Sequence, residues 1–240
     1  MKQSLQLVYL QIISIILGFT TLIYVASSLP AELFAITAIY SVISSLIVVF
    51  SNTGIETYAM RNVLLWKDKE ESDKIRLVIS QEIFLRICLA FILVAPIIVY
   101  SYYISKYKFD GEYFSLFVFM TFSSIIAAIN ESFALLLKSF NKYLSAAFIF
   151  FGINILGKIL AFVLFLKFGF FEYIYTIVLM PLVGIIPGFI ILRRWVDPKQ
   201  LVNWKKIIVN LKLSKSFTFS SYISYLFNYA DQLLITIFLT

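Results

Sequence analysis

Four ionisable side chains stand inside long apolar runs of this sequence: Arg86, Glu131, Lys158 and Asp231. A charge held at the centre of a bilayer costs at least about 2.5 kcal/mol unless it meets protein, water or a partner, so these are the first places to look for chemistry. Helix rise puts Arg86 and Glu131 at similar depth in one half of the membrane, and Lys158 and Asp231 in the other. Two cross-helix pairs are therefore expected. Asn130 precedes Glu131, and Asn228 lies one turn before Asp231. The cations Arg86 and Lys158 are candidate ligands for an anionic head group. The acids Asp231 and Glu131, with Asn228, are candidates for ion coupling or gating, because burial raises a carboxylate's proton affinity and a mobile basic partner lowers it. Plainer readings stand beside these. Arg86 could brace Glu82, one turn earlier and nearer the interface, and snorkel outwards. Lys158 could reach the outer interface on its own stem, or form a fixed pair with Asp231 that holds the bundle together.

The absences narrow the field further. Histidine does not occur and Cys88 is the single cysteine. Disulfides, zinc sites, thiol catalysis and histidine proton relays are excluded with them. No metal, cofactor or catalytic residue is expected.

The elements that must position these groups are helices crossing lipid. Of the 240 residues, 61% are hydrophobic and 14% charged, which leaves too little polar surface for a soluble globule. The apolar residues gather in runs of about twenty, the length that spans roughly 30 Å of hydrocarbon. Spans are expected over 5–26, 33–50, 77–102, 114–137, 143–166 and 173–192, with a more polar seventh over 217–239. The seventh carries Ser220, Ser221, Ser224, Asn228 and Asp231 and so should face a cavity or a partner. Span six contains Pro181, Gly184, Pro187 and Gly188, a combination that kinks a helix and frees backbone carbonyls. Gly152 and Gly157 offer small surfaces for close contact on span five.

Orientation follows from the loops. Fifteen lysines and arginines fall at the ends that share a side with the N-terminus, against Lys106, Lys108 and Lys167 on the other. Positive side chains resist translocation, so the N-terminus is expected in the cytoplasm. The net charge of +7 is thus a topology signal, and no nucleic-acid partner is expected. The connections 51–76 and 193–215 read as helix extensions along the membrane face, the second with Asp197 and Pro198 as a start and Trp204, Ile207, Ile208 and Leu211 as an apolar stripe. The expected fold is an all-α membrane protein: a six-helix transmembrane lobe over 1–192, an amphipathic linker over 193–215, and over 216–240 the first helix of a second, incomplete lobe. Six crossings return the chain to its starting side, so a second lobe would repeat the first in parallel.

Four stretches carry a resemblance. Ser51-Asn52-Thr53-Gly54-Ile55-Glu56-Thr57-Tyr58-Ala59-Met60-Arg61 resembles a glycine followed by a helix-terminal arginine in the polysaccharide (O-antigen) flippase family, part of the superfamily of multidrug, oligosaccharidyl-lipid and polysaccharide exporters. The turn Leu137-Lys138-Ser139-Phe140-Asn141-Lys142, the turn Lys167-Phe168-Gly169-Phe170-Phe171, and Asn228-Tyr229-Ala230-Asp231-Gln232-Leu233-Leu234-Ile235 with its acidic residue follow in the family's order and spacing. Family members have two six-helix lobes, and this chain resembles the N-terminal half. The resemblance implies movement of undecaprenyl-pyrophosphate-linked oligosaccharide repeat units across the bacterial inner membrane, for O-antigen or capsular or exopolysaccharide synthesis, by alternating access coupled to an ion gradient. It adds Arg61 to the candidate substrate-binding residues. It also implies as partners a lipid-linked oligosaccharide, the bilayer, a polysaccharide polymerase and glycosyltransferases.

Two other classes compete. A membrane-embedded glycosyltransferase would want acids in an early outer loop, where only Glu32 stands, and a metalloprotease would want histidines. A multidrug or cation exporter of the same fold would want a cation-binding interior, whereas buried Arg86 and Lys158 favour an anionic substrate. A transporter, not an enzyme, is expected.

Overall fold

The computed structural model describes residues 2–149 and 153–238, with the side chains of residues 8–9, 12–149 and 153–224. The regular elements among the described residues are all helical: α1 (Lys2–Ser28), α2 (Ala31–Phe50), α3 (Ile55–Asp68), α4 (Ser72–Lys108), α5 (Phe114–Ser139), α6 (Tyr143–Ala147), α7 (Ile153–Phe168), α8 (Phe170–Leu192) and α9 (Trp204–Phe238). Two short 3₁₀ turns, Arg193–Trp195 and Pro198–Gln200, join α8 to α9. Four of the described helical stretches are long and apolar enough to cross a membrane: Ala31–Phe50, Ser72–Lys108, Phe114–Ser139 and Phe170–Trp195. A shorter apolar stretch, Ile12–Ser28, lies in α1. The expected span five falls on α6 and α7, and Gly152 between them lies outside the described residues.

α5 is the central helix, packed against α2, α3, α4, α6 and α8. Its buried face is rich in small residues, among them Ser123, Ser124, Ala128, Ser132 and Ala134, which let neighbouring backbones approach closely where lipid supplies no hydrophobic drive. Thr121 and Ser124 return their hydroxyls to the carbonyls of Phe117 and Met120, both at 2.8 Å, so these polar side chains cost little in an apolar setting. α5 ends where Asn141 takes a left-handed conformation, φ 59°. The amide of Lys142 then donates to Leu137 O at 3.0 Å and that of Asn141 to Lys138 O at 3.0 Å, which satisfies the last carbonyls and reverses the chain into α6.

Three apolar clusters stack along the bundle. One lies at the α3 end, around Ile55, Ile79, Leu137 and Ile207; a second in the middle, around Ile43, Ile47, Ala90 and Ala128; a third at the opposite end, around Val25, Ile36, Phe117 and Ile174. Large apolar side chains on the outside, such as Ile92, Phe19 and Ile186, remain exposed, as expected of a surface solvated by hydrocarbon.

Both long connections are helical. The 51–76 connection forms α3, which packs against α4, α5 and α9 and buries Ile55, Glu56, Ala59 and Val63. The 193–215 segment docks by part of its expected stripe. From Trp204 it is continuous with the expected seventh span as one helix, and among its stripe residues Ile207 is buried while Trp204 and Ile208 stay exposed. Its docked side is mixed: Ile207 and Leu211 pack into the apolar cluster of the α3 end, and Asn210 and Ser214 are enclosed beside them. The polar members fit there because α4 and the 51–54 turn present hydrogen-bonding groups that an apolar face would have left unsatisfied.

Candidate functional site

The turn from α2 to α3 sets up the site. Gly54 sits at φ 71°, and a Cβ there would come within 2.7 Å of Thr218 N and 3.0 Å of Ser214 O. Glycine thus lets α9 lie directly on the turn. Thr53 O accepts from Ser214 Oγ at 3.0 Å and Thr218 Oγ1 at 2.5 Å, while the Thr53 hydroxyl donates to the Glu82 carboxylate. Arg61 stacks its guanidinium over the Phe217 ring at 4.6 Å. Asn210 Nδ2 donates to Gln81 Oε1 at 2.6 Å.

Below this seam lies a charge cluster. Arg86 on α4 is fully enclosed. Its Nη2 meets Glu131 Oε2 of α5 at 2.6 Å, its Nη1 meets Glu56 Oε1 of α3 at 3.2 Å, and its Nε donates to Ala128 O at 3.2 Å. Glu82 is fully enclosed too, and its two oxygens accept from Thr53 and, at 3.2 Å, from Ser132. Three carboxylates therefore surround one guanidinium. Glu56 Oε2 is buried with no hydrogen-bond partner among the described residues. Burial foremost, then the Glu82 carboxylate, pushes the Glu56 carboxyl well above its ordinary range, against the opposing pull of Arg86. With its unpartnered oxygen, Glu56 is the carboxyl best placed to hold a proton.

The Arg86–Glu131 pair anticipated from depth is present. The brace between Arg86 and Glu82 is not, and Glu82 is enclosed by protein. Arg86 turns to the neighbouring helices because Glu82 is already engaged by two hydroxyls, and paired carboxylates satisfy its fork better than a snorkel through packed protein. Glu56 and Thr53 were missed because the 51–76 connection, read as a helix extension along the membrane face, lies outside the apolar runs in which a charge stands out. The available signal was the four-residue spacing of Ile55, Ala59 and Val63, which marks a buried helical face with Glu56 beside it.

The cluster opens on one side. Glu131, with 28% of its side chain exposed, lines a cavity of about 620 Å³ between α2, α5, α7 and α8. Tyr40, Ser41 and Ser44 of α2, Asn130 and Lys158 also line it. Asn130 Nδ2 donates to Pro181 O at 2.5 Å, and Ser123 of α5 donates to Val178 O. α5 side chains thus donate to carbonyls of α8 beside its first proline, though not to the Ile177 carbonyl that Pro181 itself leaves without its helical donor. Gly184 leaves room for the Asn130 amide, which an added Cβ would meet at 2.6 Å.

Lys158 lies between this cavity and a smaller one, about 310 Å³, against α1. Its Nζ donates to Ser14 O of α1 at 3.1 Å, and Gly18 keeps that approach open. Among the described residues no carboxylate lies within ion-pair distance of Lys158. The expected partner Asp231, and Asn228 with it, have side chains outside the described residues. Gly157, one residue earlier, gives Met180 of α8 the close contact foreseen for it. Arg61 and Arg86 do not line the cavity.

An all-helical bundle with apolar outer faces, and with a charge cluster and a polar cavity inside, is a multi-pass membrane protein with a hydrophilic interior. The family model for polysaccharide biosynthesis proteins matches residues 1–240, and the chain belongs to that family, as the resemblance read from the sequence anticipates. Searches of curated proteins and of solved structures give no match.

Proposed function

We propose that this protein moves undecaprenyl-pyrophosphate-linked oligosaccharide repeat units from the cytoplasmic to the outer leaflet of a bacterial inner membrane, supplying O-antigen lipopolysaccharide or capsular or exopolysaccharide synthesis. The observation that carries this reading is a polar cavity holding a lysine inside a helical membrane bundle of the polysaccharide biosynthesis family. Flipping breaks no bond. It needs a hydrated, polar route for the sugar head while the tail stays in lipid. Serine hydroxyls, Asn130 and Lys158 line such a route. A transporter and not an enzyme follows from this reading, acting with the glycosyltransferases that build the unit and the polymerase that consumes it.

The second half of the proposal is coupling. One guanidinium among three carboxylates, two of them fully enclosed, leaves an excess of negative charge that protons or a cation would balance. Glu131 belongs both to that cluster and to the cavity, so ion and substrate meet at one side chain. Asp231 and Asn228 remain candidates for the same task, with Lys158 as the mobile basic partner. The α3 end, where most lysines and arginines fall, faces the cytoplasm in this reading, and a six-helix lobe with α9 opening a second lobe provides the alternating access.

The acid excess also gives an exporter of organic cations a footing, but only Glu131 of the cluster reaches the cavity. The test is translocation of the lipid-linked precursor in cells that depend on this gene, followed by its accumulation in the cytoplasmic leaflet. Lys158→Ala is expected to block it. Precursor export that persists undiminished would sink the proposal. Transport that stays gradient-dependent in the combined Asp231→Asn, Glu131→Gln variant would remove those two acids from coupling.

A further inference from the structure

Among the described residues the cavity is lined by one cation and one carboxylate, Lys158 and Glu131, set among hydroxyls and amides. That inventory does not suit a pyrophosphate. A group with two or more negative charges is normally held by several cations or by an arginine fork, and here the buried arginine is spent on Glu56 and Glu131 and does not line the wall. Glu131 would repel a dianion. It would accept a hydroxyl.

A second observation points the same way. Asn130 is more than nine-tenths buried, its amide nitrogen is held by Pro181 O, and its Oδ1 is enclosed with no hydrogen-bond partner among the described residues. An enclosed amide oxygen left unmatched costs about 1–3 kcal/mol, so a ligand that brings a donor gains by supplying it. Ser41 donates its own hydroxyl to Thr37 O at 3.1 Å, which leaves its oxygen as an acceptor on the cavity wall. The site thus offers several acceptors for hydroxyl donors and a single ammonium. Its volume falls in the range of small-ligand pockets.

We propose that this cavity is a subsite for one sugar unit carrying a single negative charge, a carboxylate-bearing pyranose, with Lys158 holding the carboxylate and Asn130 Oδ1 and Glu131 accepting ring hydroxyls. The inference rests on the flippase reading and names which part of the head group enters here: the acidic sugar, with the pyrophosphate held elsewhere.

The experiment measures binding of sodium glucuronate, glucose and inorganic pyrophosphate to the purified chain in lipid nanodiscs, by ligand-observed NMR and competition. Glucuronate is expected to bind about ten-fold more tightly than glucose, the advantage a charge-assisted hydrogen bond gives over a neutral one. Pyrophosphate is expected not to displace it. Lys158→Gln should bring the two sugars to equal affinity, and Lys158→Arg should retain part of the preference. The proposal is overturned if pyrophosphate binds as well as glucuronate and competes with it, since the lysine then serves the lipid phosphate. It is also overturned if glucose equals glucuronate in the unmodified chain, or if neither sugar binds. These three results need no variant. Precursor translocation is scored separately, so failure of sugar binding with translocation intact rejects the subsite and leaves the transport reading standing.

Discussion

Arg86 shows how a membrane interior tolerates charge. Its cost is offset by two carboxylates and a backbone carbonyl, all from other helices. Removing it strands Glu56 and Glu131, and breaking a buried pair from one side costs about 3–5 kcal/mol. Arg86→Leu is therefore expected to lower the yield of folded protein and its melting temperature in detergent. Glu56→Gln should do neither, because the cluster holds more carboxylates than its guanidinium can balance. The same excess has a pH signature. Glu56 has its proton affinity raised in the folded chain, so the stability linked to that proton is present at low pH and is lost as pH rises through the raised value. Thermal melts from the ordinary carboxylate range upward should show a falling limb in the native chain and a flatter one in Glu56→Gln. An unchanged slope would place the proton elsewhere.

Helix by helix, two devices stand out. The first is the seat of α9 on the 51–54 turn, which depends on a residue that accepts positive φ and has no Cβ. Gly54→Ala combines a left-handed alanine, costing about 1–2 kcal/mol, with a contact 2.7 Å from Thr218 N. Release of α9 is the expected result, seen as faster proteolysis around residues 196–204 or as lost disulfide trapping between cysteines placed at positions 53 and 214. The second is α8, whose carbonyls near Pro181 are capped by Ser123 and Asn130 of α5. Interhelical hydrogen bonds of this kind contribute about 0.6 kcal/mol on average in membranes. Ser123→Ala should therefore shift the melt only slightly. A loss of several kcal/mol would mean that the hydroxyl holds more than a bent carbonyl.

At the scale of the whole molecule the bundle is polar within and apolar without, with a charge asymmetry between its two ends. Cysteine labelling in a Cys88→Ser background tests the orientation. A cysteine at position 108 should react with an impermeant reagent from outside the cell, and one at position 142 only after the inner face is opened. The reverse pattern would invert the bundle and with it the proposed direction of transport. Much of the architecture was legible beforehand: the expected spans fall on helices where the residues are described, and the depth match of Arg86 with Glu131 is present. What was not legible was lateral. Helix rise fixes how deep a side chain lies but not which neighbour it faces, so Glu82 was read as a brace for Arg86 and Glu56 was not among the candidates.

By itself the sequence determined that this chain is an α-helical membrane protein, roughly where its helices run, and to which family it belongs. Hydrocarbon imposes a length on every apolar run, and a family's motifs keep their order along the chain. Only the tertiary structure decided that Glu56 joins Arg86, that Asn210 and Ser214 of α9 are enclosed against α4 and the 51–54 turn, and that Lys158 shares a cavity with Glu131. Those pairings join residues from about 27 to more than 160 positions apart, and only the rotation and packing of whole helices can bring such partners together.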